Sequence, residues 1–383
     1  VIYGSGASFA SGYKMKVLEQ TSGRFFNKSI NPAIDKDFFD KINDEFLEKE
    51  YRALWKFKDK YFYGNSKPSM EEVWTAVDLN HKHIRLATYN WREEQEEYLD
   101  GNREYEDMDL SNISILAEYN QYAFLGDCGR DFRRLIYNVY SDYEEPSNKD
   151  YFKLLHGKVN NSEHTFIGYI TFNYDCYLEN SIKDIEFKYI NASSYTQDIK
   201  RLVYGKIPIV KLHGSLNWEE KRVDSYYRII QHELPFKKDN QIKPIYNNDK
   251  DWVQPAIIPP TIFKQEINDD SRTEHLLTQM ILQQWRTAIV MLRDADIIIF
   301  VGYSFPRTDF HSKRIFQIAS MIRRDKGIEA HEILDCTGPN DDKKERIELL
   351  KGIFGDESNI NVVTEFDKLI NSDELSNLLE KNK

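Results

Sequence analysis

Ile297-Ile298-Ile299-Phe300-Val301-Gly302-Tyr303-Ser304-Phe305 is an apolar run of strand length that closes on a glycine. No polar residue alternates within it, as expected of a strand at 296–301 buried on both faces. Just before it, Leu277, Ile281, Trp285, Ala288 and Leu292 recur on one face of a helix predicted from about Thr273 to Arg293. Just after it come a helix from about Asp309, a strand near Ile328–Leu334 and a helix near Lys343–Phe354. Upstream, residues 165–172 and 207–212 read as further buried strands. Strands alternating with helices predict an α/β fold with a parallel sheet covered on both faces, Rossmann-like in arrangement.

The first residues, Val1 to Ser8, carry an apolar strand end directly into a glycine turn and belong to the same sheet. That strand is short and Val1 is no initiator, so residues upstream of it are expected. From about Asp37 to Tyr140 the spacing is helical, with Phe39, Ile42, Phe46 and Leu47 on one face, and later Leu135, Ile136 and Val139. The organisation predicted is a helical domain at 25–150, inserted into a sheet domain of residues 1–24 and 151–383. Glu93 to Asp109 holds nine acidic residues against one Arg, the pattern of a solvated loop or helix face. The Asp/Asn-rich stretch 237–251 reads as an exposed loop, and no internal repeat is seen.

Composition narrows the classes. A chain of 383 residues has room for two or three domains, at roughly 150 residues each. A mean hydropathy of -0.65, with apolar runs far short of the ~20 residues that span a bilayer, argues against a membrane protein. No secretory signal is read. Cys128, Cys176 and Cys336 are odd in number and form no CxxC pair. That excludes a disulfide framework and a cysteine-rich zinc site, and points to a reducing cytoplasm. The net charge of -11 argues against general polyanion binding, though a local basic groove stays open.

Five strand ends carry small or polar residues. Gly4-Ser5-Gly6-Ala7-Ser8 opens a helix, where glycines admit a phosphate or simply make a tight turn; Phe9 stands where a third glycine would be, and no Walker lysine follows. Thr171-Phe172-Asn173-Tyr174-Asp175 offers an amide and a carboxylate to a ligand, or else helix caps. In Lys211-Leu212-His213-Gly214-Ser215, His213 is either a hydrogen-bonded structural residue or a proton acceptor suited to neutral pH. Gly302-Tyr303-Ser304-Phe305, with Asp309 and His311 beyond, and Leu334-Asp335 complete the set. Together they predict a crevice beyond the carboxyl ends of the strands.

Gly-Ser-Gly-Ala-Ser-x-x-Ser-Gly (4–12), Thr-Phe-Asn-Tyr-Asp (171–175), Leu-His-Gly-Ser (212–215), Gly-Tyr-Ser-Phe (302–305) and Ile-Leu-Asp (333–335), in that order, resemble the sirtuin family. The resemblance is closest to the bacterial sirtuin-like domains of antiphage defence systems. It covers the sheet domain, and the helical insert carries none of these motifs. It implies NAD as substrate, with Gly4, Gly6, Ser8, Gly302, Ser304 and Asp335 lining the dinucleotide pocket. It also implies Asn173 and His213 as the catalytic pair, with Asp175 beside the nicotinamide and its ribose. Two departures bear on the reaction. The four-cysteine zinc module of sirtuin deacylases cannot be supplied by this chain, so no zinc is expected. Gly12-Tyr13-Lys14-Met15 also replaces the family's Gly-Ile-Pro continuation. Both favour hydrolysis of NAD⁺ to nicotinamide and ADP-ribose over deacylation.

Such an activity is toxic unless gated, which implies homo-oligomer assembly or a protein partner. By resemblance the partner is a translocase ATPase, an Argonaute-like protein or a phage component. Two rivals stand beside this reading. A non-catalytic NAD or ADP-ribose sensor would need neither Asn173 nor His213. A metal-dependent nuclease would rest on Asp175 with Glu186-Phe187-Lys188, although Glu219-Glu220-Lys221 fits the same pattern. His81 and His83, two apart, point to different sides of a helix and make a poor metal pair.

Overall fold

The computed structural model describes residues 1–11, 13–21, 24–30, 38–42, 48, 51–62, 67–80, 124–125, 128–129, 131–140, 143–146, 149–185, 187–189, 206–223, 226–231, 254–258, 272–305 and 310–380. Its strands are β1 (Ile2–Tyr3), β2 (Lys14–Thr21), β3 (Arg24–Ile30), β4 (Tyr143–Glu144), β5 (Tyr169–Thr171), β6 (Phe187–Tyr189) and β7 (Ile207–Lys211). They continue with β8 (Gly214–Val223), β9 (Tyr226–Gln231), β10 (Gln254–Ile257), β11 (Ile297–Val301), β12 (Glu332–Thr337) and β13 (Asn359–Thr364). The main sheet has seven strands in the order β13-β12-β11-β1-β5-β7-β6, and every pairing within it is parallel. The fold is α/β and Rossmann-like, with a helical unit inserted after the first strand.

The unbroken apolar character of β11 follows from its position. Ile298 and Phe300 face one core, with Ala288, Met291 and Phe316 from the helices Arg272–Asp294 and Phe310–Asp325. Ile299 and Val301 face the other, with Phe152 and Leu155 of the helix Tyr151–Asn160 and Phe366 of the helix Phe366–Ile370. A strand covered on both sides has no position at which a polar residue would meet water.

The strand order reverses at β1, with β5 on one side and β11 on the other. Registers there are level. Tyr3 lies opposite both Val301 and Thr171, and Thr171 lies opposite Lys211. Four strands therefore end in one row, and the residues after them share a common floor. Such a switch point is where open α/β sheets take their ligands.

β12 departs from expectation. It begins at Glu332, later than the predicted Ile328, because Gly327 (φ 66°) ends the helix Phe310–Asp325 and the Ile328 amide still caps that helix at Arg323 O. It then continues to Thr337, so Asp335 lies within the strand opposite Phe300 and not at its end. Of residues 165–172, only Tyr169–Thr171 is strand.

Three further features were not expected. β2 and β3 form an antiparallel hairpin that β4 joins, and the expected domain boundary at 24/25 falls at the start of β3. β8, β9 and β10 form a second antiparallel sheet, which leaves directly from the His213–Gly214 turn. β13 adds an edge to the main sheet. The helical unit has its own core of Phe38, Leu54, Trp55, Phe57, Trp74, Phe132 and Ile136, to which the sheet unit contributes Tyr174, Leu216 and Ile257. Phe46, Leu47, the acidic run 93–109 and the stretch 237–251 lie outside the described residues.

Candidate functional site

Ser8 and Asn173 leave neighbouring strands and meet over the sheet's carboxyl edge. The helix Ser5–Ala10 begins two residues after β1 and turns Ser8 inward. Asn173 stands two residues past β5, with its amide N–H bonded to Thr171 Oγ1 at 3.1 Å. Its Nδ2 donates to Gly4 O at 3.0 Å and to Ser8 Oγ at 2.8 Å. Ser8 Oγ in turn donates to Asp175 Oδ2 at 2.6 Å, while Asp175 Oδ1 accepts from the Tyr177 amide at 3.1 Å. Because both amide hydrogens are committed, the side chain of Asn173 has one orientation, and Oδ1 is the atom it presents elsewhere.

His213 stands two residues past β7 on the same floor. Its ring meets Phe172 edge-on at 5.5 Å and Tyr174 at 6.0 Å, so the residues on either side of Asn173 both touch the histidine. His213 O accepts from the Ile258 amide at 2.8 Å, and Leu212 O accepts from Trp285 Nε1, also at 2.8 Å. Gly214 follows at φ 83°, where a Cβ would sit 2.1 Å from Ala256 O; only glycine makes that turn.

Asp175 is almost wholly buried, and burial pushes its carboxyl up to about 6 against the pull of Lys211, the Ser8 hydroxyl and the Tyr177 amide. Lys211, the last residue of β7, lies behind it with no exposure. Its Nζ donates to Asp175 O at 2.5 Å, Glu179 Oε1 at 2.8 Å and Tyr174 O at 3.5 Å. Burial opposes its charge, yet Glu179 and Asp175 outweigh burial and hold it above the ordinary lysine range. Sequence reading missed this pair. The available signal was a lysine closing an otherwise apolar strand.

The glycine turns serve packing first. Gly302 has φ 63°, and a Cβ on it would lie 2.1 Å from Ala7 N; a Cβ on Gly4 would lie 2.6 Å from Gly302 O. The amides of Gly4, Gly6 and Gly302 are engaged with Val301 O, Gly302 O and Cys336 O. These glycines therefore lock two turns together and leave a surface without side chains, while their own N–H groups are occupied. Tyr303 stacks on Phe172 at 4.1 Å and 7°, which ties the Gly302 turn to the Asn173 segment.

Ser304 is exposed beside this turn. Asp335 does not join the cluster. It is fully buried, and Arg346 from the helix Lys343–Phe354 takes both its oxygens, Nε to Oδ2 at 2.5 Å and Nη2 to Oδ1 at 3.0 Å. Arg346 also donates to Tyr303 O and lies 4.7 Å from the Phe305 ring centroid. Asp335 thus supports the Gly302–Phe305 turn from behind.

Of the nuclease pattern, Asp175 is buried beside Ser8. Lys188 is exposed and Glu186 lies outside the described residues, as do His81, His83, Asp309, Gly12 and the side chain of His311. Among the described residues no three His, Cys, Asp or Glu side chains gather as metal ligands, and no helix is long and apolar enough to cross a membrane.

The chain matches no family model and no curated protein. Among solved structures it is similar to a Sir2 homologue, a serine-to-alanine mutant in complex with ADP-ribose. The identity is 15% and the TM-score 0.31, over 60% of this chain and 66% of that one, so the match spans just under two thirds of that protein's length.

Proposed function

We propose that the crevice over β1, β5, β7 and β11 binds NAD⁺ and hydrolyses its nicotinamide–ribose bond. The observation that carries this reading is the Asn173–Ser8–Asp175 chain of hydrogen bonds with the His213 ring packed on both neighbours of Asn173. The sirtuin-like order of the motifs supports it. The pyrophosphate would lie over the side-chain-free surface of Gly4, Gly6 and Gly302, with Ser304 at the rim for a ribose hydroxyl.

In the reaction the C1′–N bond breaks and its electron pair returns to the nicotinamide ring nitrogen, neutralising the pyridinium. Positive charge develops on the ribose, and the negative Asp175 carboxylate would stabilise it. Asn173 Oδ1 accepts a hydrogen bond from water and aims its oxygen at C1′; His213 takes the proton as the new C–O bond forms. The products are nicotinamide, ADP-ribose and one proton. Zinc has no part in this scheme. Since uncontrolled NAD⁺ loss is toxic, we place the activity under the control of self-assembly or of a partner protein, in an antiphage role.

The test is nicotinamide release from NAD⁺ by the purified protein, alone and with the products of neighbouring genes. Asn173→Ala and His213→Ala should each lower turnover by about 10²-fold or more, with circular dichroism showing a retained fold. Unchanged turnover in both variants refutes the assignment. Calorimetric NAD⁺ binding without release under any of these conditions identifies a non-catalytic sensor instead. Activity lost to EDTA and restored by Mg²⁺ would point to the metal-dependent alternative.

A further inference from the structure

Lys211 and Glu179 form an ion pair with side-chain exposures of 0% and 1%, and the catalytic scheme above uses neither. A pair so deeply buried is seldom retained for stability alone, because desolvation offsets most of its Coulombic gain. Its neighbours indicate another use. Lys211 is two residues from His213, while its ammonium group grips the carbonyls of Tyr174 and Asp175, which follow Asn173. Glu179 is held in turn by Tyr189 OH at 2.9 Å, Tyr189 by Asn217 Nδ2 at 2.8 Å, and Asn217 Oδ1 by Ser215 Oγ at 2.6 Å. Ser215 is two residues past His213. The network therefore closes a loop from the β7 exit to the β5 exit and back.

We propose that Lys211 is a positioning residue that fixes the Asn173–Asp175 segment against the His213 segment and supplies the positive charge that keeps Asp175 an acceptor for Ser8. The inference rests on the NAD⁺-hydrolase reading for its functional meaning, but the electrostatic relation between Lys211 and Asp175 can be measured without it. The groups facing Asp175 are Ser8 from the helix Ser5–Ala10, Cys176, Tyr177 and Glu179 after β5, Lys211 from β7, and Tyr143 on β4. Of these, Lys211 favours the ionised carboxylate and Glu179 disfavours it.

Opposite signs make the test. Carboxyl-carbon NMR would follow the titration of Asp175 in the full chain and in the Lys211→Met and Glu179→Gln variants. Lys211→Met should move the Asp175 titration up and Glu179→Gln should move it down, each by about half a pH unit or more. If the protein hydrolyses NAD⁺, the acidic limb of its pH profile should move the same way. A purely structural role would lower activity in both variants without opposed titration shifts. Lys211→Met/Glu179→Gln, which leaves neither charge unpaired, serves if the Lys211 single variant does not fold. Asp175 should then titrate above its position in Glu179→Gln alone. Shifts of the same sign, or no shift in any folded variant, overturn the proposal. Opposed shifts in a protein with no NAD⁺ turnover would uphold the electrostatic relation and reject the hydrolase reading.

Discussion

Ser8 donates to Asp175 across 2.6 Å, although 167 positions separate them in sequence. This bond fixes what the serine can offer Asn173, because a hydroxyl that donates to a carboxylate has its lone pairs left for the amide. The arrangement depends on Asp175 being ionised, and that ionisation costs the fold free energy.

The cost has a definite sign. The carboxyl titrates at about 6 in the folded chain against 3.8 for the free side chain. The stabilisation conferred by its protonated form is complete below about pH 4 and is lost as pH rises through 6. At pH 7.5 the ionised group therefore costs on the order of 3 kcal/mol. Asp175→Asn should raise the melting temperature at pH 7.5 and give no gain near pH 3.5; under the proposed NAD⁺-hydrolase reading it should also lower turnover. Equal melting shifts at both pH values would refute this assignment of the cost.

Gly302 admits no side chain. Gly302→Ala combines a left-handed backbone with a Cβ 2.1 Å from Ala7 N, and should cost about 3 kcal/mol or more. Denaturant unfolding of Gly302→Ala beside Gly327→Ala, equally left-handed at φ 66° but with nothing within 4 Å of the added Cβ, isolates the close approach. Similar midpoints for the two variants would contradict it.

The Asp335–Arg346 pair separates structural support from ligand binding. Removing one member leaves a buried charge alone, so Arg346→Met should lose about 3–5 kcal/mol. Asp335→Leu/Arg346→Met should recover much of that loss. If Asp335 only supports the Gly302–Phe305 turn, the double variant retains NAD⁺ affinity by calorimetry. A large loss of affinity in a stable double variant would return Asp335 to the binding surface.

Cys128, Cys176 and Cys336 are buried, and burial pushes each thiol up to about 12. Almost no thiolate forms at pH 8. The native protein should leave Ellman's reagent uncoloured over an hour and release the full colour of three thiols once denatured. Rapid reaction of any thiol in the native state would contradict the burial found here.

What the sequence made legible was set by local pattern. β11 is an unbroken apolar run and β7 is apolar up to its closing Lys211, and the residues after them must turn; the candidate His213 followed from that, and Asn173 from the matching end of β5. The limits of β12 were harder, because Glu329-Ala330-His331-Glu332 carries no periodicity and the strand is defined by pairing with β11 and β13. The partner of Asp335 was hidden for a related reason. Whether a carboxylate at that register faces a ligand or an arginine depends on how the helix Lys343–Phe354 docks, a tertiary fact. The β2–β3 hairpin carried only a weak sign, the Ser22-Gly23 pair between two mixed runs. Lys211 is the one charge in an otherwise apolar strand, and its use shows only with Glu179 beside it.

Tyr174 belongs to the core of the helical unit and its hydroxyl donates to Ile258 O at 2.7 Å, yet in sequence it separates Asn173 from Asp175. The candidate amide and carboxylate are thus threaded through a joint between two hydrophobic interiors. Loosening the inserted helices would carry the amide and the carboxylate out of alignment even while the parallel sheet stayed intact, so the endurance of the crevice is that of the weaker interior.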